Sequence, residues 1–287
     1  MANSFIYTPN TIDIYEKANG DQIIIIGESH GIIAAKNISK LEEHHLMDVI
    51  SPSEFALKKI KENPSFHVYA EIEIPPEGSG LSEQNLDHEL DKFRNLQSTK
   101  YGKKIHNIDF RLHLLDDYWK EYDGTCMSLE FFLKEHPKKE ERKYFIKKLK
   151  EIDPEIKHNK DDMIEIKRVI EEDDNDEEDE DYAYVHHEMV TPFVEALMSQ
   201  IIKTNPDKAS DMLFYTGMHH SERLKHQVLK PSKLKKLGLT HIYSSSKEIH
   251  DQPHVLKRRL PKEDFPIPEL KISPKERELI RKMLRKK

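Results

Sequence analysis

A single cysteine, Cys126, is the whole cysteine complement of this 287-residue chain. It excludes an intramolecular disulfide, suits a reducing compartment and reads as a packed side chain. No window approaches the roughly 18 uninterrupted apolar residues of a membrane span. The opening residues MANSFIYTPN lack the basic start and apolar centre of a secretion signal. The expectation is a soluble, intracellular protein of the cytoplasm. Positive charge is also short, since the net formal charge is −7, which argues against general nucleic-acid binding. No Gly-x-Ser-x-Gly elbow occurs, and Gly78-Ser79-Gly80 has no lysine downstream. A serine hydrolase and a phosphate-binding loop are therefore set aside. There is no internal repeat of fixed period.

What is present is charge, in blocks. Charged residues make up 34% and the hydrophobic set 36%, so the core must be concentrated in a few segments surrounded by charged helices. Residues 171–181, EEDDNDEEDED, are acidic at every position but Asn175. They read as a disordered, solvated loop. Residues 271–287, KISPKERELIRKMLRKK, are basic and are the segment best suited to nucleic acid or an acidic partner, though a soluble amphipathic helix is the simpler account. The abundance of Ile, Lys, Asn, Asp and Glu suits an AT-rich coding genome such as that of a large DNA virus.

Short β-branched or apolar runs predict strands at 22–26, 66–74, 104–110, 212–216 and 240–244. Helical spacing predicts helices over 32–50, 53–62 (capped by Ser53), 112–121, 128–150, 159–172, 185–203 and 219–229. Strands separated by helices imply an α/β fold with a mostly parallel sheet covered on both faces. The continuous apolar run Ile23-Ile24-Ile25-Ile26 then marks a strand buried on both sides. One α/β domain is expected over 1–249, with a helical insertion at about 123–210 that contains the acidic loop. A proline-rich tail and the basic helix fill 250–287.

Gly-x-x-His occurs twice, each time directly after a predicted strand: Gly27-Glu28-Ser29-His30 and Gly217-Met218-His219-His220. In a parallel sheet the carboxyl ends of the strands share one edge, where ligands bind. His30 and His220 can therefore converge across 190 residues of sequence. Period-two geometry puts Glu71 and Glu73 on one side of the second strand, and Asn107, Asp109 and Arg111 on one side of the third. Carboxylates buried beside a sheet require partners, and His30, His220 and Arg111 are at hand. Either histidine alone could cap a helix, and Asp109 with Arg111 could be a structural pair. The pairs His44-His45 and His186-His187 read as solvated helix residues, and His219 as pointing away from its neighbour.

These paired motifs, with a glutamate on the next strand and an arginine further on, resemble the superfamily of TIKI and TraB proteins, erythromycin esterases and ChaN-type haem-binding proteins. The resemblance spans about residues 20–245 and implies a site of His30, His220, Glu28, Glu73 and Arg111, with Glu71, Asp109, Tyr215 and His219 facing a substrate. It implies hydrolysis of a small-molecule or peptide substrate by one of two routes. A divalent ion (Mn, Co or Zn) on His30, His220, Glu28 and Glu73 would activate water. Alternatively His30 or His220 would act as general base, with Arg111 stabilising an oxyanion. The competing readings are a haem- or metal-binding protein without turnover and an inactive interaction protein.

Overall fold

The computed structural model describes residues 5–7, 11–28, 49–81, 88–124, 128–171, 179–246 and 257–259. The chain opens with β1 (Phe5–Tyr7), β2 (Thr11–Lys17), β3 (Gln22–Glu28) and β4 (Val49–Ile50), followed by α1 (Pro52–Glu62) and β5 (His67–Ala70). Then come α2 (His88–Gln97), β6 (Ile105–Asn107) and α3 (Arg111–Tyr118), which continues into a π turn at Trp119–Asp123. A helical stretch follows, with α4 (Leu129–Phe132), α5 (Lys139–Ile152), α6 (Lys160–Glu171), α7 (Asp179–Val190) and α8 (Pro192–Thr204). The remaining elements are β7 (Met212–Gly217), α9 (Met218–Gln227), α10 (Pro231–Leu237), β8 (Leu239–Ser246) and β9 (Lys257–Arg259).

The fold is α/β, as expected, around a six-stranded sheet of order β6-β5-β7-β3-β2-β8. Neighbours from β6 to β3 are parallel, while β2 runs antiparallel to both β3 and β8. The sheet is thus mostly parallel, with β2 as its exception. A separate three-stranded sheet joins β4, β1 and β9.

β3 lies inside the large sheet, and none of Ile23 to Ile26 is more than 2% exposed. Alternation splits them between two cores. Ile23 and Ile25 join Tyr69 and Phe214 beneath the helices of residues 129–204; Ile24 and Ile26 join Phe55, Val68, Leu213 and Tyr215 on the other face. Each such side chain contributes roughly 1.5–3 kcal/mol by leaving water. Gly27 then has a purely steric reason. A Cβ there would collide with Ser221 Oγ and Thr11 Oγ1 and come within 3.1 Å of Met218 Cα. Its absence lets the start of α9 lie directly on β3, and that contact positions His220.

Several expectations are corrected. β2 was not anticipated, because TIDIYEK mixes Asp and Glu into a strand pattern; hairpin pairing with β3 across a turn with Gly20 at φ +87° fixes it. The segment 66–74 is a strand only to Ala70, where Ile72 N–H turns back onto Ala70 O at 2.9 Å and ends the ladder. Likewise β6 ends at Asn107, whose Oδ1 accepts from Ile72 N and Asp109 N, so Arg111 begins a helix instead of sharing a strand face. α1 is capped by Ser51, not Ser53, in a reciprocal box with Glu54. The helix expected at 32–50 falls outside the described residues except for Val49 and Ile50, which form a strand. α2 and α10 were not anticipated, and the helix expected over 185–203 is two, because Pro192 starts a new one. In the acidic run, residues 172–178 lie outside the described residues, whereas Asp179 to Asp181 begin α7.

Candidate functional site

The carboxyl edge of the parallel strands gathers a buried line of alternating charge. Arg111, in the first turn of α3, donates from Nε to Asp109 Oδ1 at 2.9 Å and from Nη2 to Asp109 Oδ2 and Glu71 Oε1, both at 2.8 Å. Glu71 follows β5. Its Oε2 accepts from Thr216 Oγ1 and from Gly217 N, each at 2.7 Å, so the second Gly-x-x-His motif clamps the glutamate through its own backbone. His220, in the first turn of α9, places Nε2 at 3.1 Å from Glu71 Oε1 and Nδ1 at 3.2 Å from Glu195 Oε1. Arg223 Nε lies 3.0 Å from the same Glu195 oxygen, and Arg223 Nη1 lies 3.3 Å from Asp162 Oδ2. The line reads Asp109, Arg111, Glu71, His220, Glu195, Arg223, Asp162.

Two contacts within it differ in kind. Glu71 is held by aligned hydrogen bonds, as a fixed carboxylate should be. Glu195, fully buried, instead receives two cationic groups on a single oxygen, His220 Nδ1 at 3.2 Å and Arg223 Nε at 3.0 Å. Burial by itself would push the His220 imidazole down, but Glu71 and Glu195 outweigh it and raise its pKa to about 10. His220 is therefore an imidazolium at neutral pH. Burial likewise opposes the charge of Arg111, and Asp109 and Glu71 hold its guanidinium above the ordinary value.

With His220 protonated, both Arg111 Nη1 and His220 Nε2 are donors, 3.5 Å apart. Nη1 meets no carboxylate among the described residues, and the Arg111 side chain is 17% exposed. A partly accessible donor of fixed orientation beside a second cation can receive an anionic oxygen.

The expected site residues are placed unequally. Glu71, Asp109, Arg111 and His220 come together. Glu73 is half-buried, accepts at its backbone O from Arg94 Nη2 at 2.8 Å, and adds its charge to the field at Arg111. Glu28 ends β3, buried, and by alternation shares the face of Ile24 and Ile26, opposite the one on which α9 packs. Tyr215 is fully buried in the core with its ring 4.9 Å from Phe93, and His219 is exposed. His30 lies outside the described residues, as do His44, His45 and Cys126.

The helical layer supplies what was missed. His186 is fully buried, not solvated, with Nδ1 2.8 Å from Tyr182 O and Nε2 3.3 Å from Glu141. His187 is partly buried near Arg111. Burial first and the Arg111 charge second push it down to about 4. Glu188 is raised by burial and then by Asp162. Glu195 had a legible signal, a lone acid in the apolar helix PFVEALMSQII. Arg223 had one too, a single helical turn beyond His220. Asp162 had none.

At the opposite, amino edge of the sheet, His67, His106 and Asp207 form a group that could hold a metal ion, with one ligand atom from each within 4.8 Å of the others. Burial, then Lys104, then His106 push His67 down to about 4. No comparable metal-ligating group occurs at the carboxyl edge among the described residues. Among them, too, no helix is long and apolar enough to cross a membrane. Compared with known family models, curated proteins and solved structures, the chain matches none.

Proposed function

We propose that the carboxyl edge is the active site of a hydrolase of the TIKI/TraB and erythromycin-esterase/ChaN-like kind that the paired Gly-x-x-His motifs resemble. The observation that supports it is the buried Arg111–Glu71–His220–Glu195 line at the ends of parallel strands, with two cationic donors side by side. Clustered perturbed ionisations of this sort mark functional sites. Arg111 and His220 form the pole on which a developing oxyanion is stabilised. As an imidazolium, His220 can return its proton to a leaving group and cannot itself be the base. That role falls to His30, oriented by Glu28 or Glu73. The substrate is a small molecule or peptide with a hydrolysable carbonyl or phosphoryl group.

The metal-free route has the geometry on its side. An imidazolium offers no lone pair, and the Arg111 guanidinium repels a cation beside Glu71, so Mn, Co or Zn on His30, His220, Glu28 and Glu73 would first have to displace the His220 proton. A haem- or metal-binding role without turnover remains the alternative.

The test is hydrolysis of nitrophenyl esters, peptide anilides and phosphoesters by the full chain, with and without chelator and with a haem titration alongside. Turnover that survives chelation and falls about 100-fold or more in Arg111→Met and in His220→Asn is the expected result. Unchanged turnover in the Arg111→Met/His220→Asn double variant sinks the assignment. Haem binding without turnover favours the alternative.

A further inference from the structure

At the amino edge, four polar side chains form a chain of close contacts that the carboxyl-edge chemistry does not use. Lys104 Nζ lies 3.0 Å from His67 Nε2, and His67 Nδ1 lies 2.9 Å from His106 Nε2. His106 Nε2 in turn lies 3.8 Å from Asp207 Oδ2. The proton positions follow from the donors. An ammonium can only donate, so His67 Nε2 accepts and the ring carries its proton on Nδ1, aimed at the lone pair of His106 Nε2. The ring centroids are 5.1 Å apart and the planes within 7°. Combined with the 2.9 Å between facing nitrogens, this sets the two imidazoles edge to edge in nearly one plane, with both nitrogen orbitals directed into the gap. Tyr69 lies against His106 at 4.8 Å, and its hydroxyl donates to Asp207 Oδ2 at 2.7 Å.

We propose that His67 Nδ1, His106 Nε2 and Asp207 Oδ2 are the ligands of a second site, which binds a divalent transition-metal ion of the zinc class at the amino edge of the sheet. Two imidazoles and one carboxylate suit Zn²⁺ and Co²⁺ over the hard, oxygen-seeking Mg²⁺ and Ca²⁺, and three protein ligands leave a position for water. A tetrahedral ion keeps its neighbouring donors about 3.3 Å apart. The 2.9 Å nitrogen pair must therefore open slightly, and the 3.8 Å nitrogen–oxygen pair must close slightly. Asp207 sits in the turn between α8 and β7 with its side chain 31% exposed, so it can make the larger move. The ion displaces the proton from His67 Nδ1 to solvent and Nε2 takes one up in its place, so the ring stays a neutral imidazole and Lys104, which can only donate, must turn away from it. The Tyr69 hydroxyl steadies the carboxylate from behind, as outer partners of metal ligands do. Lys104 opposes the ion by charge. The ligands come from the first residues of β5, from β6 and from the turn before β7, so the ion ties three adjacent strands at their starting ends. This site does not depend on the hydrolase reading.

Co²⁺ titration of the chelator-stripped full chain, read by visible ligand-field absorption and by the shift in Tm, tests the site, with Zn²⁺ as competitor. One Co²⁺ per chain, a tetrahedral band and a higher Tm are expected. The band is expected to vanish in His106→Ala, to weaken about 10-fold in affinity in Tyr69→Phe, and to strengthen in Lys104→Met. It should persist in His220→Asn. Asp207→Asn, at an exposed turn, serves where His106→Ala fails to fold, and should lose the band as well. The proposal is overturned if neither the natural chain nor Lys104→Met binds Co²⁺, if the band survives both His106→Ala and Asp207→Asn, or if it disappears with His220→Asn and so belongs to the other edge.

Discussion

Two histidines at opposite edges of one sheet, His67 and His220, are 6% and 5% exposed, yet they sit on opposite sides of their ordinary pKa. Burial acts on both in the same direction, against the charged ring. The neighbours decide the outcome. His220 lies between two carboxylates, Glu71 and Glu195, and is held as a cation to about 10. At His67 burial is the largest cause and the Lys104 ammonium and His106 imidazole add to it, so the ring is pushed to about 4. The sheet therefore presents a charged donor at its carboxyl edge and a neutral lone-pair ligand at its amino edge. Burial sets the direction at His67, where the adjacent charges add to it, and is overruled at His220, where they oppose it; the sign of the adjacent charge separates the two rings.

The sharpest way to break this contrast is to remove a carboxylate. Glu71→Ala leaves Arg111 and His220 facing each other without their shared anion and strips Thr216 Oγ1 and Gly217 N of their acceptor. A loss of about 3–5 kcal/mol in denaturant unfolding is expected, and an NMR titration should show the His220 pKa falling below its value in the natural chain. Should His220 keep its high pKa, the Glu71 part of the explanation is wrong.

Next in size is the steric prediction. Gly27→Ala forces Ser221 and Thr11 away and moves the start of α9 off β3, at about 1–3 kcal/mol. Hydrolytic activity, where found, should fall with it, because His220 rides on that helix. A variant with unaltered stability would show that the contact is looser than its geometry.

Stability against pH gives a signed test of the same contrast. The folded-state pKa of His220 is raised, so its contribution is fully present below the unfolded value near 6.5 and is lost as pH rises through about 10, on the order of a few kcal/mol. His67 is lowered, so below about 6.5 the unfolded chain takes up protons that the folded chain does not, and stability falls until pH reaches about 4. Unfolding curves from pH 4 to 10 should show both limbs. His220→Asn is expected to flatten the alkaline limb, and His67→Asn the acid limb; exchanged effects would refute the sign of both assignments.

The smallest effect is reserved for an exposed pair. Arg168 Nη2 and Glu165 Oε1 lie 2.7 Å apart one helical turn from each other, with side chains 38% and 44% exposed. Water and salt screen such a pair, so Arg168→Ala should change stability by under about 0.5 kcal/mol. A loss as large as that of Glu71→Ala would mean that distance, not burial, governs ion-pair strength here.

Much of the carboxyl edge was legible because strand ends carry local signals. An apolar run followed by glycine predicts both where β3 and β7 stop and that a helix must pass close by, and the need to pair a buried carboxylate predicts that Glu71 or Glu73 meets a cation, which the structure gives as Glu71 with Arg111. The length of β5 and β6 was not legible, since the two turns that end them are tied to each other across the strands, Ile72 N–H donating to Asn107 Oδ1 and Ile108 N–H to Ala70 O. β2 was hidden by its own charges, of which Asp13 is met by Lys225 and His241 from far along the chain. The amino-edge group passed unnoticed because His67 and His106 stand inside strand patterns with nothing local to distinguish them.

Sequence alone determined that β3 is a strand buried on both faces, that the sheet is mostly parallel, and that Gly27 and Gly217 end neighbouring strands on one edge, because apolar runs and crossover lengths are properties of contiguous residues. Tertiary structure decided the charge on each imidazole, the entry of Glu195 and Arg223 into the line, and the meeting of His67, His106 and Asp207. Electrostatic neighbours act through space at a few ångströms, and a chain that folds brings together groups whose separation in sequence carries no trace of that distance.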